Sequence, residues 1–402
     1  MPSATLVVAL NVRIKAGAAS AYQVQVGSGI LAAAADGLVG AQQRVLVVYD
    51  RNLPLATLQP LLRGLRKVCG AHRVATLPFV AREDAKSVPQ LVRVLTAAAE
   101  HGLTRDDLLV AVGGGITTDT VGLAASMHRR GCRLLLCPTT LLSMVDGAVG
   151  GKTGVNLLLG QGLLKNAIGA FYEPSRVVCD VSTLASLPLR DFRCGLAECI
   201  KHGLIAGRTG KSGLLGGIAA AIDGGMMLGA GAIGPRGELA LCKLVAAHVA
   251  FKASVVKLDP RETKPAAKGG GRMALNLGHT FAHAIETMPG LRWTGPDGSK
   301  RGLHHGEAVG LGLIAATRLS AALGHCSESL ADLTQVLVGL SGLPVEVAGL
   351  PKTREVVRCM KQDKKSSSSG MRLVLATDEL RALIRSDVPL AQIERVIDSI
   401  RV

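Results

Sequence analysis

The apolar run LLVAV at 108–112 passes without a break into Gly113-Gly114-Gly115, and then into Thr117, Thr118 and Asp119. A short run with no polar alternation fits a strand buried on both faces, as in a parallel sheet. Glycines after such a strand permit a tight turn and close approach of backbone. The helix that follows starts with its N–H groups and positive dipole end facing outward, an arrangement that binds pyrophosphate. The glycine order departs from the GxGxxG fingerprint, and GGG alone is a weak motif. Its place after this strand gives it weight. RVLVVY at 44–49, ending at Asp50, and RLLLC at 133–137 repeat the pattern, with a further strand at 72–79. Helical periodicity at 54–68 and 88–101 separates these runs. The alternation predicts a parallel sheet with helices on both faces, preceded by strands at 5–14 and 21–27. Asp50 and Asn52 then stand at a strand's carboxyl end, where open α/β sheets bind ligands. Glu83 and Lys86 follow in the polar loop AREDAKS.

Past about residue 184 strand signals fade and helical periodicity takes over. The 402 residues therefore divide into an α/β N-terminal domain with a parallel Rossmann-like sheet, 1–183, and a mainly α-helical C-terminal domain, 184–402. The Gly/Ala-rich stretch 207–237 and ETKPAAKGGG at 262–271 read as low-complexity insertions. No uninterrupted 18-residue apolar run is found, so no membrane-spanning helix is expected. The first 14 residues lack the parts of a signal peptide. Nine cysteines without CxxC pairs fit reduced thiols and a cytoplasmic setting, with a plastid as the alternative. A formal charge of +16 can serve nucleic acid, membrane or anionic small molecules. The lysines and arginines are dispersed, with no basic arm, zinc finger or RNA-binding aromatic motif. An anionic small-molecule substrate is expected, and neither nucleic acid nor membrane.

PTTLLSMVDGAVGGKTGVNLLLGQGLLKN, residues 138–166, concentrates polar chemistry in a stretch with little to pack a core. Thr139, Thr140, Thr153, Asn156 and Asn166 supply neutral hydrogen-bonding groups, and Lys152 and Lys165 supply compact cations. This suits a ligand with phosphate, carboxylate and hydroxyls. It is not a P-loop, since Asp146 stands where that motif needs its first glycine. Farther on, Glu198 lies in GLAECIKHG, His279 and His283 in GHTFAHAIE, and His305 and Glu307 in HHGE. An acidic residue and two imidazoles from separate helices can hold a divalent metal with an open position. Spacing alone selects His279 and His283, four apart on one helical face, as the imidazole pair.

VDGAVGGKTGVN followed by KNAIGAFYEP resembles the 3-dehydroquinate synthase family of the sugar phosphate cyclases. The resemblance continues in family order through GLAECIKHGLI, LNLGHTFAHAIE, HGEAVGLG and QDKK. It implies conversion of 3-deoxy-D-arabino-heptulosonate 7-phosphate (DAHP), a phosphorylated keto acid, to 3-dehydroquinate and phosphate in aromatic amino acid biosynthesis. NAD would act catalytically, with Zn2+ or Co2+ as the metal. The resemblance implies Glu198, His279 and His305 as metal ligands, with His283 facing the substrate. It implies substrate contacts from Arg130, Asp146, Lys152, Lys165, Asn166, Lys252, Arg272 and Lys364, and catalytic roles for His283, Lys152, Lys201, Lys252, Arg272 and Asn276. It assigns the cofactor to Asp50, Asn52, Glu83, Lys86, Gly114, Gly115, Asp119, Thr139, Thr140, Asp146 and Lys165, and a homodimer is expected. Three departures stand out: Thr118 and Ser366 replace a glycine and an asparagine, and the 262–271 insertion falls between Lys252 and Arg272. Other sugar phosphate cyclases and metal-dependent NAD alcohol dehydrogenases of the same fold are the rival readings.

Overall fold

A computed structural model describes residues 10–16, 20–160, 162–207, 213–223, 235–264, 271–295, 298–362 and 371–402. Two compact units divide the chain: Met1–Pro188 with Leu228–Lys257, and Leu189–Met227 with Leu258–Val402.

In the first unit, β1 (Leu10–Ala16) and β2 (Ser20–Gly27) form an antiparallel pair. Then β3 (Val45–Asp50), β4 (Val74–Phe79), β5 (Leu108–Gly113) and β6 (Arg133–Pro138) alternate with α1 (Leu55–Cys69), α2 (Val88–Glu100) and α3 (Gly115–Met127). A separate antiparallel ribbon, β7 (Lys152–Leu159) and β8 (Gly162–Phe171), precedes β9 (Arg176–Asp180). The sheet order is β1-β2-β9-β6-β5-β3-β4, and every pair beyond β1–β2 is parallel. β3 and β5 bury their apolar runs because helices cover both faces. Leu58, Leu61, Leu62 and Leu65 repeat at helical spacing on α1 and join Val45, Val47, Val110 and Val112 in one buried cluster. β9 and the ribbon lie beyond the strand pattern read from the sequence. RVVCD is short, and glycines break the ribbon's alternation.

Chain order fixes where this unit can hold a ligand. From β3 the chain moves to β4 on one side and then to β5 on the other. The reversal opens a crevice at the carboxyl ends of β3 and β5, the position where doubly wound sheets bind ligands.

α4 (Leu189–Ile205) and α5 (Leu214–Asp223) belong to the second unit, whereas α6 (Pro235–Leu258) groups with the first. The sequence pattern had assigned everything after 183 to the helical domain. On α6, Glu238 Oε2 accepts a 2.7 Å hydrogen bond from Ser28 Oγ. Its Gly237–Leu258 portion is long and apolar enough to cross a membrane, yet about half of that apolar stretch is buried within the protein. It also carries Lys252, buried and paired with Asp146, as a core helix of a folded unit would.

The second unit continues with α7 (His279–Glu286), β10 (Trp293–Thr294), β11 (Lys300–Arg301), α8 (His305–Ala322), α9 (Glu328–Leu340), α10 (Thr353–Gln362), β12 (Leu373–Ala376), β13 (Ala382–Arg385) and α11 (Leu390–Asp398). α8 is its axis and is buried from Gly306 to Thr317. Two glycines let other backbone reach it. A Cβ on Gly306 would lie 2.4 Å from the Cys194 carbonyl oxygen on α4, and one on Gly312 would lie 2.3 Å from the Gly278 carbonyl oxygen just before α7. Gly278 itself has φ +75, so only glycine fits there without strain. These close approaches bring the starts of α7 and α8 against α4.

Candidate active site

At the crevice of the first unit, Gly113 ends β5 and α3 begins at Gly115 with Gly114 as its cap. A Cβ on Gly113 would come within 2.6 Å of Thr117 Oγ1 and 3.3 Å of Asp50 Cβ, and one on Gly114 would press on Thr140 at 3.0 Å. Nothing lies within 4 Å of a Cβ on Gly115, so the helix start faces open space. The first N–H groups of a helix lack intrahelical acceptors and suit an anion. Asp50 accepts from the Asn52 amide at 2.9 Å, and burial raises its carboxyl above the usual range. Thr139 donates its amide to the Gly113 carbonyl at 3.0 Å, tying the end of β6 to the turn. Thr118 is buried with its hydroxyl folded onto the Gly115 carbonyl at 3.1 Å, so this departure fits without opening the helix.

A polar knot ties the ribbon to this crevice. Lys86 is buried, and its ammonium donates to Asp119 Oδ2 at 2.6 Å and Asn166 Oδ1 at 2.5 Å. Burial raises the Asp119 carboxyl, and Lys86 pulls against that rise. Asn156 sits at a break in the ladder between β7 and β8. Its side chain donates to Glu83 Oε1 at 2.8 Å and accepts from the Asn166 amide at 2.8 Å, while its own amide donates to the Lys86 carbonyl. Asn166 adopts φ +52, which asparagine tolerates better than most residues. Asp146 stands on a π-helical turn, Ser143–Gly147, and pairs with Lys252, whose ammonium also donates to the Asp146 carbonyl. Lys152 opens β7 and is exposed, and Lys165 is half-buried on β8. Arg130 lies just past the far end of α3, a 13-residue helix from Gly115, and so about 20 Å from the glycine turn. Within one chain it does not join the crevice residues.

The second unit carries a group of side chains that could hold a metal ion. Glu198, His279 and His305 place one ligand atom each within 4.8 Å of the others. His279 Nε2 is 3.5 Å and His305 Nε2 3.7 Å from Glu198 Oε1. The remaining imidazole nitrogens are held from behind. His279 Nδ1 meets the Leu277 carbonyl at 3.1 Å, and His305 Nδ1 meets Glu286 Oε2 at 3.2 Å. Such outer partners fix the tautomer that turns Nε2 to a metal. His283, one turn after His279, keeps its ring centroid 5.5 Å from His279 and 6.3 Å from His305, outside the ligand group. Spacing alone points to His279 and His283, whereas the imidazole whose nitrogen clusters with Glu198 and His279 is that of His305.

The electrostatics suit a cation. Burial pushes the Glu198 carboxyl up, but Lys201, 2.5 Å away, and then His279 outweigh it and hold it well below the usual range. Burial and then Lys201 lower His279, which favours the neutral imidazole that a metal ion needs. His305 is raised to about 9, since hydrogen bonds to Glu198 and Glu286 overcome its loss of solvation. A metal ion bound there would displace that proton. A carboxylate with two imidazoles matches the donor preference of Zn2+ or Co2+ and leaves coordination open for substrate.

Glu307, in the HHGE motif, has another task. It accepts from the His304 amide at 2.6 Å and pairs with Arg190 through two contacts of 2.7 Å, capping α8. Arg272 is buried, with its amide on Asp259 Oδ2 at 3.1 Å and its guanidinium donating to the Pro260 carbonyl at 3.0 Å. Asp259 also accepts from the Thr263 amide at 2.8 Å, and Asn276 donates to Glu262 Oε1 at 3.2 Å. Both flanks of the 262–271 insertion are thus pinned beside Arg272 and Asn276. Lys364 and Ser366 lie outside the described residues. Glu286 and Asp259 escaped the sequence reading. Glu286 was within reach, seven residues after His279 and so on the same helical face.

Residues 76–194 match the profile described as 3-dehydroquinate synthase N-terminal, and residues 195–366 the one described as 3-dehydroquinate synthase C-terminal. The chain is 37% identical over 383 residues to the 3-dehydroquinate synthase of Acidithiobacillus ferrooxidans, covering 94% of this chain and 95% of that relative. It is 35% identical over 394 residues to that of Ruegeria pomeroyi, covering 96% and 98%. Among solved structures, a 2-deoxy-scyllo-inosose synthase complexed with carbaglucose-6-phosphate, NAD+ and Co2+ superposes with a TM-score of 0.78 at 22% identity, covering 97% and 100%. A 2-epi-5-epi-valiolone synthase from Streptomyces hygroscopicus with NAD+ and Zn2+ bound reaches 0.75 at 23%, covering 97% and 99%. At such identities these two share the fold.

Proposed function

The chain belongs to the 3-dehydroquinate synthase family, and from that premise we propose how its residues divide the work. It is a carbon–oxygen lyase that converts DAHP to 3-dehydroquinate and phosphate. The observation that carries the residue assignment is the Glu198, His279 and His305 group with His283 just outside it. When bound, NAD would take up and return a hydride at a substrate carbinol carbon, and a divalent ion on those three ligands would polarise the oxygen there.

The remaining steps fall to the chain's own side chains. His283 takes the carbinol proton, a task an imidazole performs near neutral pH. Lys201 keeps Glu198 ionised through their 2.5 Å contact. Lys152 and Lys165 hold phosphate as point charges, Lys252 supplies a further cation in the first unit, and Arg272 supplies one in the second. The pairing of Lys252 with Asp146 keeps that ammonium in place between turnovers. In the first unit the Gly113–Gly115 turn and the start of α3 receive the cofactor's pyrophosphate, while Asp50 and Asn52 meet a ribose. Lys86, Glu83 and Asn156 brace Asp119 and the ribbon from behind.

We also propose a homodimer in the cytoplasm. All nine cysteines are free thiols, and eight of them are buried, as in a reducing compartment.

The proposal is tested by release of inorganic phosphate from DAHP by the purified chain. Release is expected to need added NAD+ if the cofactor has been stripped, to stop on chelation, and to return with Zn2+ or Co2+. Phosphate release at an undiminished rate in excess chelator would refute the metal assignment.

A further inference from the structure

Three successive residues at the start of α8 meet three successive turns of α4. His305 Nε2 lies 3.7 Å from Glu198 Oε1. Gly306 lies with its backbone against Cys194, where an added Cβ would come within 2.4 Å of both the Cα and the carbonyl oxygen. Glu307 takes the Arg190 guanidinium in two contacts of 2.7 Å, from Nε to Oε1 and from Nη2 to Oε2. Arg190, Cys194 and Glu198 are spaced four apart and so follow one side of α4. This helix contact therefore has a candidate ligand pair at one end, a backbone pivot in the middle and an ion pair at the other end.

The ion pair is set firmly. The Glu307 side chain is 1% exposed and that of Arg190 20%. Arg190 Nη2 also donates to the Gly302 carbonyl, and His304 Nδ1 stands 3.2 Å from Asp191 Oδ1. The first turn of α4 thus grips the chain as it enters α8. A buried ion pair adds little net stability, because lost solvation offsets the attraction. What a two-pronged guanidinium–carboxylate contact supplies is fixed geometry. Fixed geometry is what the other end of the contact needs. Two donors each about 2.1 Å from a tetrahedral ion stand roughly 3.4 Å apart. The gaps from Glu198 to His279 and His305 are 3.5 and 3.7 Å, which leaves little slack. His279 is carried by α7, whereas His305 depends on how α8 sits on the Gly306–Cys194 pivot.

We propose that the Arg190–Glu307 pair is a positioning clamp for the metal site, holding the start of α8 on α4 so that His305 Nε2 and Glu198 stay within reach of one ion. Neither clamp residue belongs to the ligand group. The inference rests on the reading of Glu198, His279 and His305 as metal ligands.

The test is Zn2+ affinity of the full chain, measured by competition with a chelator, with the visible absorption of the Co2+-loaded chain as a second readout. Two variants loosen the clamp and spare the helix start. Glu307→Gln keeps an acceptor for the His304 amide and loses the charge. Arg190→Lys keeps the charge and loses the fork. Each is expected to weaken Zn2+ about ten- to a hundredfold, the range seen when partners behind metal ligands are removed, and to alter the Co2+ absorption, which follows ligand geometry. Arg318→Met is the control at the far end of α8, where Arg318 donates to the Ser399 carbonyl at 2.8 Å. It should lower the melting temperature and leave both metal readouts as in the wild type. Clamp variants with wild-type Zn2+ affinity and Co2+ absorption overturn the clamp and leave the ligand reading standing. An equal loss in Arg318→Met also overturns it, by marking the effect as general loosening of the fold. Wild-type Zn2+ affinity in Glu198→Ala overturns the ligand reading itself, and the clamp with it.

Discussion

Replacing Glu198, His279 or His305 with Ala is expected to abolish phosphate release and strip the bound metal, whereas His283→Ala loses turnover and keeps the metal. The three ligand atoms lie within 4.8 Å of one another, and loss of one leaves too few donors for a tight tetrahedral site. His283 stands apart, with its ring centroid 5.5 Å from His279. Its removal should cost the 10²- to 10⁴-fold typical of a proton-transfer residue. Metal analysis of the purified variants separates the two classes. Should His283→Ala empty the site as thoroughly as His279→Ala, the roles of the two histidines are misassigned.

Lys201→Met is expected to destabilise the metal-free chain by about 3–5 kcal/mol, the scale of breaking a buried ion pair from one side. Lys201 and Glu198 are each only 1% exposed and stand 2.5 Å apart. Met keeps most of the apolar stem and deletes the charge, leaving the buried Glu198 carboxylate to rely on His305 for a positive neighbour. Saturating Zn2+ should narrow the deficit, since the ion restores positive charge next to that carboxylate. Denaturant unfolding in chelator and in excess Zn2+ reads both effects. Equal midpoints for variant and wild type in chelator would show that the pair does not sustain the metal-free fold.

Much of the first unit was readable because parallel strands buried on both faces leave unbroken apolar runs, as at 108–112 and 133–137. The Gly113 turn and Asp50 followed from those runs. The ribbon was not readable, for two reasons. Its leucines face solvent on both sides, so no inside–outside alternation marks it as strand. The break at Asn156 arises from contacts with Glu83 and Lys86, some seventy residues earlier. α6 carried no signal of its grouping with the first unit, because helical periodicity records that a face is buried and not what buries it. In the candidate metal group, i,i+4 spacing favoured His283, whereas the imidazole that clusters with Glu198 and His279 belongs to His305. The choice of His305 depends on α8 closing on α4 and α7 through Gly306 and Gly312, a tertiary contact that spacing within one helix cannot express. Arg130 shows the opposite limit: its motif match says nothing of the full helix that separates it from the crevice.

Cofactor stoichiometry tests the central claim most directly. The purified chain, freed of bound cofactor, is incubated with DAHP and Zn2+ at an NAD+ concentration far below that of DAHP, and phosphate and NADH are followed together. The account predicts many phosphates released per NAD+ with no lasting NADH absorbance, because the hydride is returned in each turnover. NADH accumulating one for one with product would contradict it and mark the chain as an ordinary dehydrogenase.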